Sequence, residues 1–235
     1  MEKIENFNIS KKTLIAMDNF SKLLSSEDAK SRKIRITPNW LEVKIAGMVG
    51  FYDCSKEDNS GFQEFVIAES KKFLDLIAKI GLKEAQFKEP FSYLKNGDTK
   101  VKFHTSPLSA IKPIDKKIID SFDQADYLVK PFELDLNELE TFFNNSVNLM
   151  GYKHIKFETK NNGLKIIGYD KDNIDNGFYE ESLNVKVENK LDFSIAEEHL
   201  GKLIKSNYRV HIKEKIIRLE NLDYEGLNYY IAKDN

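Results

Sequence analysis

Hydrophobic residues along the chain follow two different periods, and the same change from one period to the other occurs four times. Each occurrence begins with a phenylalanine and an apolar residue two places later, as in a strand, and then continues with the 3.6-residue period of a helix. The four starting residues are Phe7, Phe65, Phe132 and Phe193. Near-even spacing of about 60 residues is typical of repeated supersecondary units. The sequence therefore predicts four strand–helix units.

The four predicted helices cover about 10–24, 69–80, 135–150 and 196–209. Ser10 is a predicted N-cap of the first helix, because its hydroxyl can accept a hydrogen bond from a free backbone N–H. Gly81 is a predicted stop for the second helix, because glycine readily adopts the left-handed conformation that ends helices.

Segments that alternate between apolar and polar residues follow each predicted helix, and Asn96-Gly97 between two of them indicates a tight hairpin. One helix followed by several strands argues against a doubly wound fold, in which helices alternate with every strand. We therefore expect an α+β fold of two similar domains, each with two helices packed on mainly antiparallel sheets. The proline-bearing stretch 106–131 interrupts the pattern and is predicted to connect the halves. The predicted parts are an N-terminal domain (1–112), a connector (113–131) and a C-terminal domain (132–235).

Composition restricts the class of protein. The 235 residues have a formal net charge of −2, which argues against binding nucleic acid by bulk basicity alone. Cys54 is the single cysteine and cannot form an internal disulfide, and the N-terminus lacks the features of a secretory signal. The longest apolar run is too short to span a bilayer, so we expect a cytoplasmic protein without a membrane contact.

Three of the four predicted helices carry an excess of lysine or arginine on the face opposite their apolar stripe, although the chain as a whole is slightly acidic. The third helix is the exception, with Glu138, Thr141, Asn145 and Asn148 on that face. Ordinary solvated helix faces are one explanation of this bias. A weak, sequence-independent contact with DNA phosphates is the other.

Residues for catalysis, metal binding or cofactor binding are not predicted. The histidines His104, His154, His199 and His211 lie in separate segments without metal-ligand spacing. Cys54 is predicted to be a buried cysteine and not a nucleophile. The sequence contains neither a P-loop nor a GxGxxG motif, so a non-enzymatic role without a cofactor is expected.

The two-half repeat, the four strand-into-helix joints, the proline-bearing connector and the C-terminal LNYYIAKD resemble the sliding DNA clamps, which are DNA polymerase processivity factors. The family includes the T-even-phage clamp and proliferating cell nuclear antigen. The length and the two-domain layout are most similar to the trimeric phage clamps. The resemblance covers nearly the whole chain and implies a homotrimeric ring that encircles duplex DNA, with helices lining the hole.

The resemblance also assigns roles to individual residues. The cationic residues on or near the predicted helices would face DNA: Lys11, Lys12, Lys22, Lys71, Lys72, Lys79, Lys83, Lys153, Lys202, Lys205 and Arg209. The apolar residues of the connector and the last strand would form a pocket for peptides of partner proteins: Ile114, Ile118, Phe122, Tyr229, Tyr230 and Ile231. Packing in the core is the alternative for these six, and Tyr229 and Tyr230 should point to opposite faces of a strand.

The resemblance implies duplex DNA, a DNA polymerase and an ATP-dependent clamp loader as partners, with the transcription machinery as a further class. For a phage protein, the compartment would be the cytoplasm of an infected bacterium. Two other functions stay open: a monomeric DNA-binding processivity subunit with the same fold, and a protein-interaction scaffold of viral origin without a role on DNA.

Overall fold

A computed structural model of the protein divides into two compact units, Met1–Ile114 (unit 1) and Asp115–Asn235 (unit 2). The structure describes residues 4–5, 7–26, 33–60, 62–81, 84–114, 119, 122, 126–173, 177–187 and 189–234.

Unit 1 consists of short strands and two α-helices. In chain order these are β1 (Ile4–Glu5), α1 (Lys11–Leu23), β2 (Ile34–Ile36), β3 (Trp40–Ile45), β4 (Met48–Asp53), β5 (Phe65–Ile67), α2 (Ser70–Ile80), β6 (Glu84–Gln86), β7 (Phe91–Asn96) and β8 (Thr99–Ser106). Single 3₁₀ turns follow at Leu24–Ser26 and Leu108–Ala110.

Unit 2 repeats this order with shorter helices. Its elements are β9 (Phe132–Asp135), α3 (Glu140–Phe143) with a π-helical continuation (Asn144–Leu149), β10 (His154–Lys160), β11 (Gly163–Tyr169), β12 (Phe178–Lys186), β13 (Asp192–Ala196), α4 (Glu197–Gly201), β14 (Asn207–Ile212), β15 (Ile216–Asn221) and β16 (Leu227–Ala232).

The elements form four modules, each a strand, a helix and three further strands. Within each unit the two modules exchange their first strands, and every exchanged pair is antiparallel. The pairs are β1 with β6, β5 with β2, β9 with β14, and β13 with β10. Unit 1 therefore has the strand order β1-β6-β7-β8-β5-β2-β3-β4, and unit 2 has the sheets β9-β14-β15-β16 and β13-β10-β11-β12. The predicted α+β class and the four-fold repeat are confirmed.

The phenylalanine that begins each repeat anchors its module in the core. Phe7, Phe65, Phe132 and Phe193 are all at most 7% exposed. In unit 1 the Phe65 ring stacks on the Phe87 ring at a centroid distance of 3.8 Å, and Phe73 of α2 lies 5.2 Å from Phe103 of β8. Burying one such ring contributes about 1.5–3 kcal/mol, which explains why the repeat keeps an aromatic residue at this position.

The first two predicted helices are confirmed together with their ends. The Ser10 Oγ accepts a hydrogen bond from the backbone N–H of Thr13 at 3.1 Å, as an N-cap does. Gly81 is left-handed with φ of 58°, and its N–H donates to the Ile77 carbonyl at 3.1 Å. The hairpin at Asn96-Gly97 is also present, since β7 and β8 pair from Asn96 and Thr99 onward.

The prediction of the third helix was wrong about the residue at which the helix begins and about which of its later residues lie on the apolar face. Asp135 still belongs to β9, and its carboxylate accepts from the Asn137 N–H at 2.8 Å, which favours a turn before the helix begins at Glu140. From Asn144 the helix is π-helical, with the Met150 N–H donating to the Asn145 carbonyl at 3.1 Å. This wider turn rotates Met150 away from the apolar stripe, and Met150 is 51% exposed.

Close packing between the π-helical segment and β11 depends on Gly168. Ser146 is fully buried, and a Cβ atom on Gly168 would lie 2.6 Å from the Ser146 Cβ. A contact this short forces the helix or the strand to move. Only glycine therefore lets the segment lie directly on the sheet.

We expect Gly168→Ala to lower the free energy of unfolding by about 1–3 kcal/mol, because it overpacks this contact. The matched control on the same strand is Gly163→Ala, whose Cβ would meet only the Lys160 carbonyl oxygen at 3.6 Å. The control should stay within about 1 kcal/mol of the parent protein. Urea denaturation of the three proteins measures the difference, and equal values for both variants would contradict the packing.

Candidate nucleic-acid interface

Helices α1 and α2 present a lysine-rich face in unit 1. Each helix carries three lysines and one aspartate, and all six lysines are exposed. The helices lie side by side, since the Ser70 Oγ donates to the Ser21 Oγ at 3.0 Å. The six lysines are Lys11, Lys12, Lys22, Lys71, Lys72 and Lys79. The structure therefore brings these predicted DNA-facing residues together on two adjoining helices, which we call the lysine face.

Half of the lysine face is partly neutralised by carboxylates. Lys22 lies 2.7 Å from Asp18, Lys72 lies 2.9 Å from Glu69, and Lys12 lies 3.5 Å from Glu57. Lys11, Lys71 and Lys79 make no ion pair with any residue that the structure describes. Exposed pairs of this kind are weak and exchange readily, so all six ammonium groups can reach a polyanion.

The helical face of unit 2 has a different charge. The α3 and π-helical residues contain one glutamate and no basic residue, and α4 contains two glutamates and a histidine. A cavity of about 240 Å³ between them is lined by Glu140 and Glu197 and by Lys205. Burial raises the pKa of Glu197. Among the helices that the structure describes, the excess of lysine is thus found on α1 and α2 and is absent from α3, its π-helical continuation and α4, which extends the predicted exception at the third helix to the fourth.

Three predicted DNA-facing residues follow α4 and have other contacts. Lys202 is bound by Glu198 at 2.8 Å, and its side chain is 23% exposed. The Lys205 ammonium lies 4.4 Å from the centre of the Phe143 ring, and partial burial lowers the pKa of Lys205. Arg209 was wrongly placed on a helix, because the helix ends at Gly201.

Arg209 lies instead on strand β14. The buried neighbours Tyr208 and Val210 follow a two-residue period, so Arg209 faces the opposite side of the sheet. Its guanidinium lies 3.8 Å from Glu133 and 3.9 Å from Glu220. Among the other candidates, Lys153 is exposed just after the π-helical segment, and Lys83 lies outside the described residues.

The predicted peptide-pocket residues are divided among different environments. Tyr229 and Ile231 are fully buried on the inner face of β16, so neither offers a surface to a partner. Ile114 is 7% exposed in unit 1, and its N–H donates to Glu42 at 3.3 Å. Ile118 lies outside the described residues. Phe122 and Tyr230 do meet, with ring centroids 5.7 Å apart.

Phe122 and Tyr230 belong to an aromatic–cation cluster on the outer face of β14–β16. The Lys213 ammonium lies 4.3 Å from the Phe122 ring centre and 4.5 Å from the Tyr127 ring centre. The Arg218 guanidinium lies 5.2 Å from the Phe122 ring centre. Cation–π contacts of this kind hold Phe122 and Tyr127 against the sheet. The sixth member of the cluster is His211, whose ring lies 5.7 Å from Tyr127.

Sequence reasoning missed a second basic surface, which lies on the outer face of the β7–β8 hairpin. The Lys102 ammonium lies 3.8 Å from the Phe91 ring centre, and Lys100 lies 4.3 Å from the Tyr93 ring centre. His104 meets Phe91 edge to face at 5.4 Å. A two-residue period carried through both strands of the hairpin would have placed these residues on one face.

The described part of the chain has no side-chain cluster suited to a metal. There, no group of three or more His, Cys, Asp or Glu residues is placed to hold a metal ion. None of the helices described is long and apolar enough to span a bilayer.

Solved structures of sliding clamps are similar to this fold. The DNA polymerase III subunit beta from Pseudomonas aeruginosa matches 99% of the chain, with a TM-score of 0.67 and 10% sequence identity. The DNA polymerase sliding clamp from Bacillus subtilis matches 99%, with a TM-score of 0.65 and 9% identity. PCNA from A. fulgidus, bound to the C-terminal region of FEN-1, matches 100%, with a TM-score of 0.61 and 12% identity. The protein therefore has the sliding-clamp fold.

The matched proteins differ in length. The chain spans 64% of the P. aeruginosa and B. subtilis subunits, but 99% of A. fulgidus PCNA. No protein-family model and no curated protein sequence matches the chain.

The aromatic–cation cluster predicts a pH dependence of stability. Burial, followed by the charge of Arg218, holds the pKa of His211 below its ordinary value of 6.5. The unfolded chain consequently takes up a proton at His211 at a higher pH than the folded protein does. The contribution of neutral His211 to the free energy of unfolding is therefore complete above pH 6.5. It is lost as the pH falls from 6.5 through the lower pKa that His211 has in the folded protein.

We expect His211→Gln to reduce the fall in unfolding free energy below pH 6.5, because this variant has no proton to take up there. Denaturation midpoints from pH 7.5 to 5 measure the effect. Asn228→Gln on β16 of the same sheet keeps His211 and should show the full fall. An unchanged pH profile in His211→Gln would show that another group is responsible.

Proposed function

We propose that the protein is a sliding clamp, in which three copies form a ring around duplex DNA and tether a replicative DNA polymerase. The observation that supports this most directly is the match of 99% of the chain to P. aeruginosa DNA polymerase III subunit beta at a TM-score of 0.67. The near-complete coverage of A. fulgidus PCNA supports a two-unit subunit. Three such subunits would supply six units and twelve modules.

The lysine face is the proposed contact with DNA. Six exposed lysines on α1 and α2 would give sequence-independent phosphate contacts that are weak and sensitive to salt. A protein that only binds DNA from one side would need a stronger basic surface than a chain with net charge −2 provides. A ring that encloses the duplex does not need such a surface, because it stays on DNA without tight binding. Lys153, Lys202 and Lys205 would add weaker contacts from unit 2.

The proposal includes the partners that a clamp requires. A replicative polymerase would dock through an apolar peptide; Phe122 and Tyr230 lie side by side but are only 2% and 6% exposed in the single chain. An ATP-dependent loader would open the ring, and the nucleotide would be bound by that loader, since the sequence contains no P-loop of its own. The chain itself would act without catalysis. Transcription proteins are a further class of client, and a phage origin is consistent with the two-unit length.

We expect the protein to form particles of three times the 27.2 kDa chain mass at micromolar concentration, measured by native mass spectrometry. Once loaded by a clamp loader on nicked circular DNA, the particles should remain bound during gel filtration at high salt. They should dissociate after the circle is cut, because a ring slides off an open end. A monomer that binds linear and circular DNA equally would instead identify a one-sided DNA-binding subunit. No DNA retention in any form would favour a scaffold without a role on DNA.

We expect the double variant Lys71→Glu, Lys79→Glu to weaken binding to linear duplex DNA at low salt and to reduce its salt dependence. The logarithmic salt slope should fall by about 0.9 for each phosphate that the protein no longer neutralises. Fluorescence anisotropy of a labelled duplex measures both quantities. Lys215→Glu, at an exposed position between β14 and β15, is the matched control and should leave the slope unchanged. Equal effects of the double variant and the control would remove the lysine face from the DNA contact.

A further inference from the structure

The outer face of strands β7 and β8 carries aromatic and basic side chains in three matched rows. Residues that pair directly on antiparallel strands point to the same side of the sheet. Phe103, between two of the outer positions, faces α2, because its ring lies 5.2 Å from the Phe73 ring. The three outer rows are Phe91 with His104, Tyr93 with Lys102, and Lys95 with Lys100. We call these six residues the hairpin face.

The hairpin face is accessible, and its charge is mainly positive. The Phe91 side chain is 38% exposed, and Lys100 and Lys102 are also exposed. Neither of these two lysines makes an ion pair with any residue that the structure describes. Lys95 has Glu84 of β6 as a partner at 3.9 Å. The outer positions of β6, β7 and β8 thus carry three lysines and one glutamate, together with two aromatic rings.

Two of the lysines cover the two rings in the free chain. The Lys102 ammonium lies 3.8 Å from the Phe91 ring centre, and the Lys100 ammonium lies 4.3 Å from the Tyr93 ring centre. An exposed cation–π contact is weaker than the stacking of a nucleic-acid base on an aromatic ring. A base can therefore replace each ammonium on its ring. The displaced ammonium, on a flexible stem beside the base, is then free to contact a phosphate.

The spacing of the rings favours a single strand over a duplex. Phe91 and Tyr93 are two residues apart on β7, which separates their Cα atoms by about 6.8 Å. Stacked bases in one strand of a duplex rise by about 3.4 Å. Adjacent bases can therefore lie on both rings only after they have separated from each other. Paired bases inside a duplex expose no face for such a contact, whereas an extended single strand does.

We propose that the hairpin face binds single-stranded nucleic acid, with bases stacked on Phe91 and Tyr93 and phosphates bound by Lys100 and Lys102. His104 meets the Phe91 ring edge to face at 5.4 Å and orients it for stacking. The contact is independent of sequence, because every base has a face that can stack. An acidic peptide fits less well, since its carboxylates would contact the lysines and leave the two rings without a partner.

The inference goes beyond the proposed clamp and does not require a ring, because all six residues belong to one unit of one chain. The hairpin face lies on the side of its sheet opposite to α2, which carries half of the lysine face. One chain can therefore hold a duplex at the lysine face and a single strand at the hairpin face. The two surfaces should respond separately to substitution.

Fluorescence anisotropy of labelled oligo(dT) with the full-length chain tests the stacking. Phe91→Leu keeps an apolar side chain but removes the ring, and it should weaken binding at least about fivefold. Phe91→Tyr keeps a ring and should bind like the parent protein. Equal affinities of the leucine and tyrosine variants would overturn stacking at this position. Parallel titrations with oligo(rU) show whether DNA or RNA is the preferred strand.

A second variant tests the phosphate contact at an exposed side chain that has no part in the core. Lys102→Gln should lower the logarithmic salt slope for oligo(dT) by about 0.7, the value for one phosphate of a single strand. Lys215→Gln, at an exposed position in unit 2, is the matched control and should leave the slope unchanged. Equal slopes for Lys102→Gln and the control would overturn the phosphate contact.

Photochemical cross-linking locates the strand directly. Oligo(dT) with iodouracil in place of some thymines should cross-link, on irradiation, to the peptide that contains Phe91 and Tyr93, as identified by mass spectrometry. Cross-links confined to other strands or to α1 and α2 would overturn the site. Polyglutamate should compete poorly with oligo(dT). Competition as effective as that of unlabelled oligo(dT) would show a surface for acidic protein and would overturn the inference.

Opposite effects on two ligands separate this inference from the proposed function. Phe91→Leu should lose oligo(dT) and keep duplex DNA, whereas Lys71→Glu, Lys79→Glu should lose duplex DNA and keep oligo(dT). Loss of oligo(dT) only in the second variant would place the single strand on the lysine face and overturn the inference. Retention on nicked circular DNA without oligo(dT) binding would overturn the inference and leave the clamp intact. Oligo(dT) binding at the hairpin face without retention would support the inference and overturn the clamp.

Discussion

Exchange of first strands between modules is the interaction on which the rest of the structure depends. A module alone has three consecutive strands and one helix, and its first strand would have no partner. In unit 2, β9 completes the sheet of β14 and β13 completes the sheet of β10, so each module depends on the other for the backbone hydrogen bonds of its first strand. Phe132 and Phe193 begin these strands, and burial of their rings adds a hydrophobic contribution to the stability of the paired modules.

The same scaffold carries different surfaces in its two units. Helices α1 and α2 expose six lysines, whereas the helical face of unit 2 contains Glu140 and Glu197 and few basic groups. Residues on the outer helical surface have little part in packing, so charge there can vary without changing the fold.

The candidate site was predictable where local signals decide it. Ser10 and Gly81 mark the ends of α1 and α2, and helical period alone places Lys71 and Lys79 outside. Prediction failed where distant residues intervene. The contact between Gly168 and Ser146 accompanies a π-helical turn that shifts the phase after Asn144, and strand pairing with β9 takes Arg209 out of the fourth helix. The aromatic–cation cluster joins Phe122, His211 and Arg218, which are far apart in sequence.

Local sequence patterns were sufficient to predict the number of modules, the α+β class and the basic character of the first two helices. These properties depend on hydrophobic period, capping residues and charge within short windows, and such windows contain all the residues involved. In contrast, local patterns could not predict which strands exchange between modules or which apolar residues remain exposed in the folded chain. Each of these depends on backbone pairing between segments tens of residues apart, and the same local pattern is compatible with several pairings.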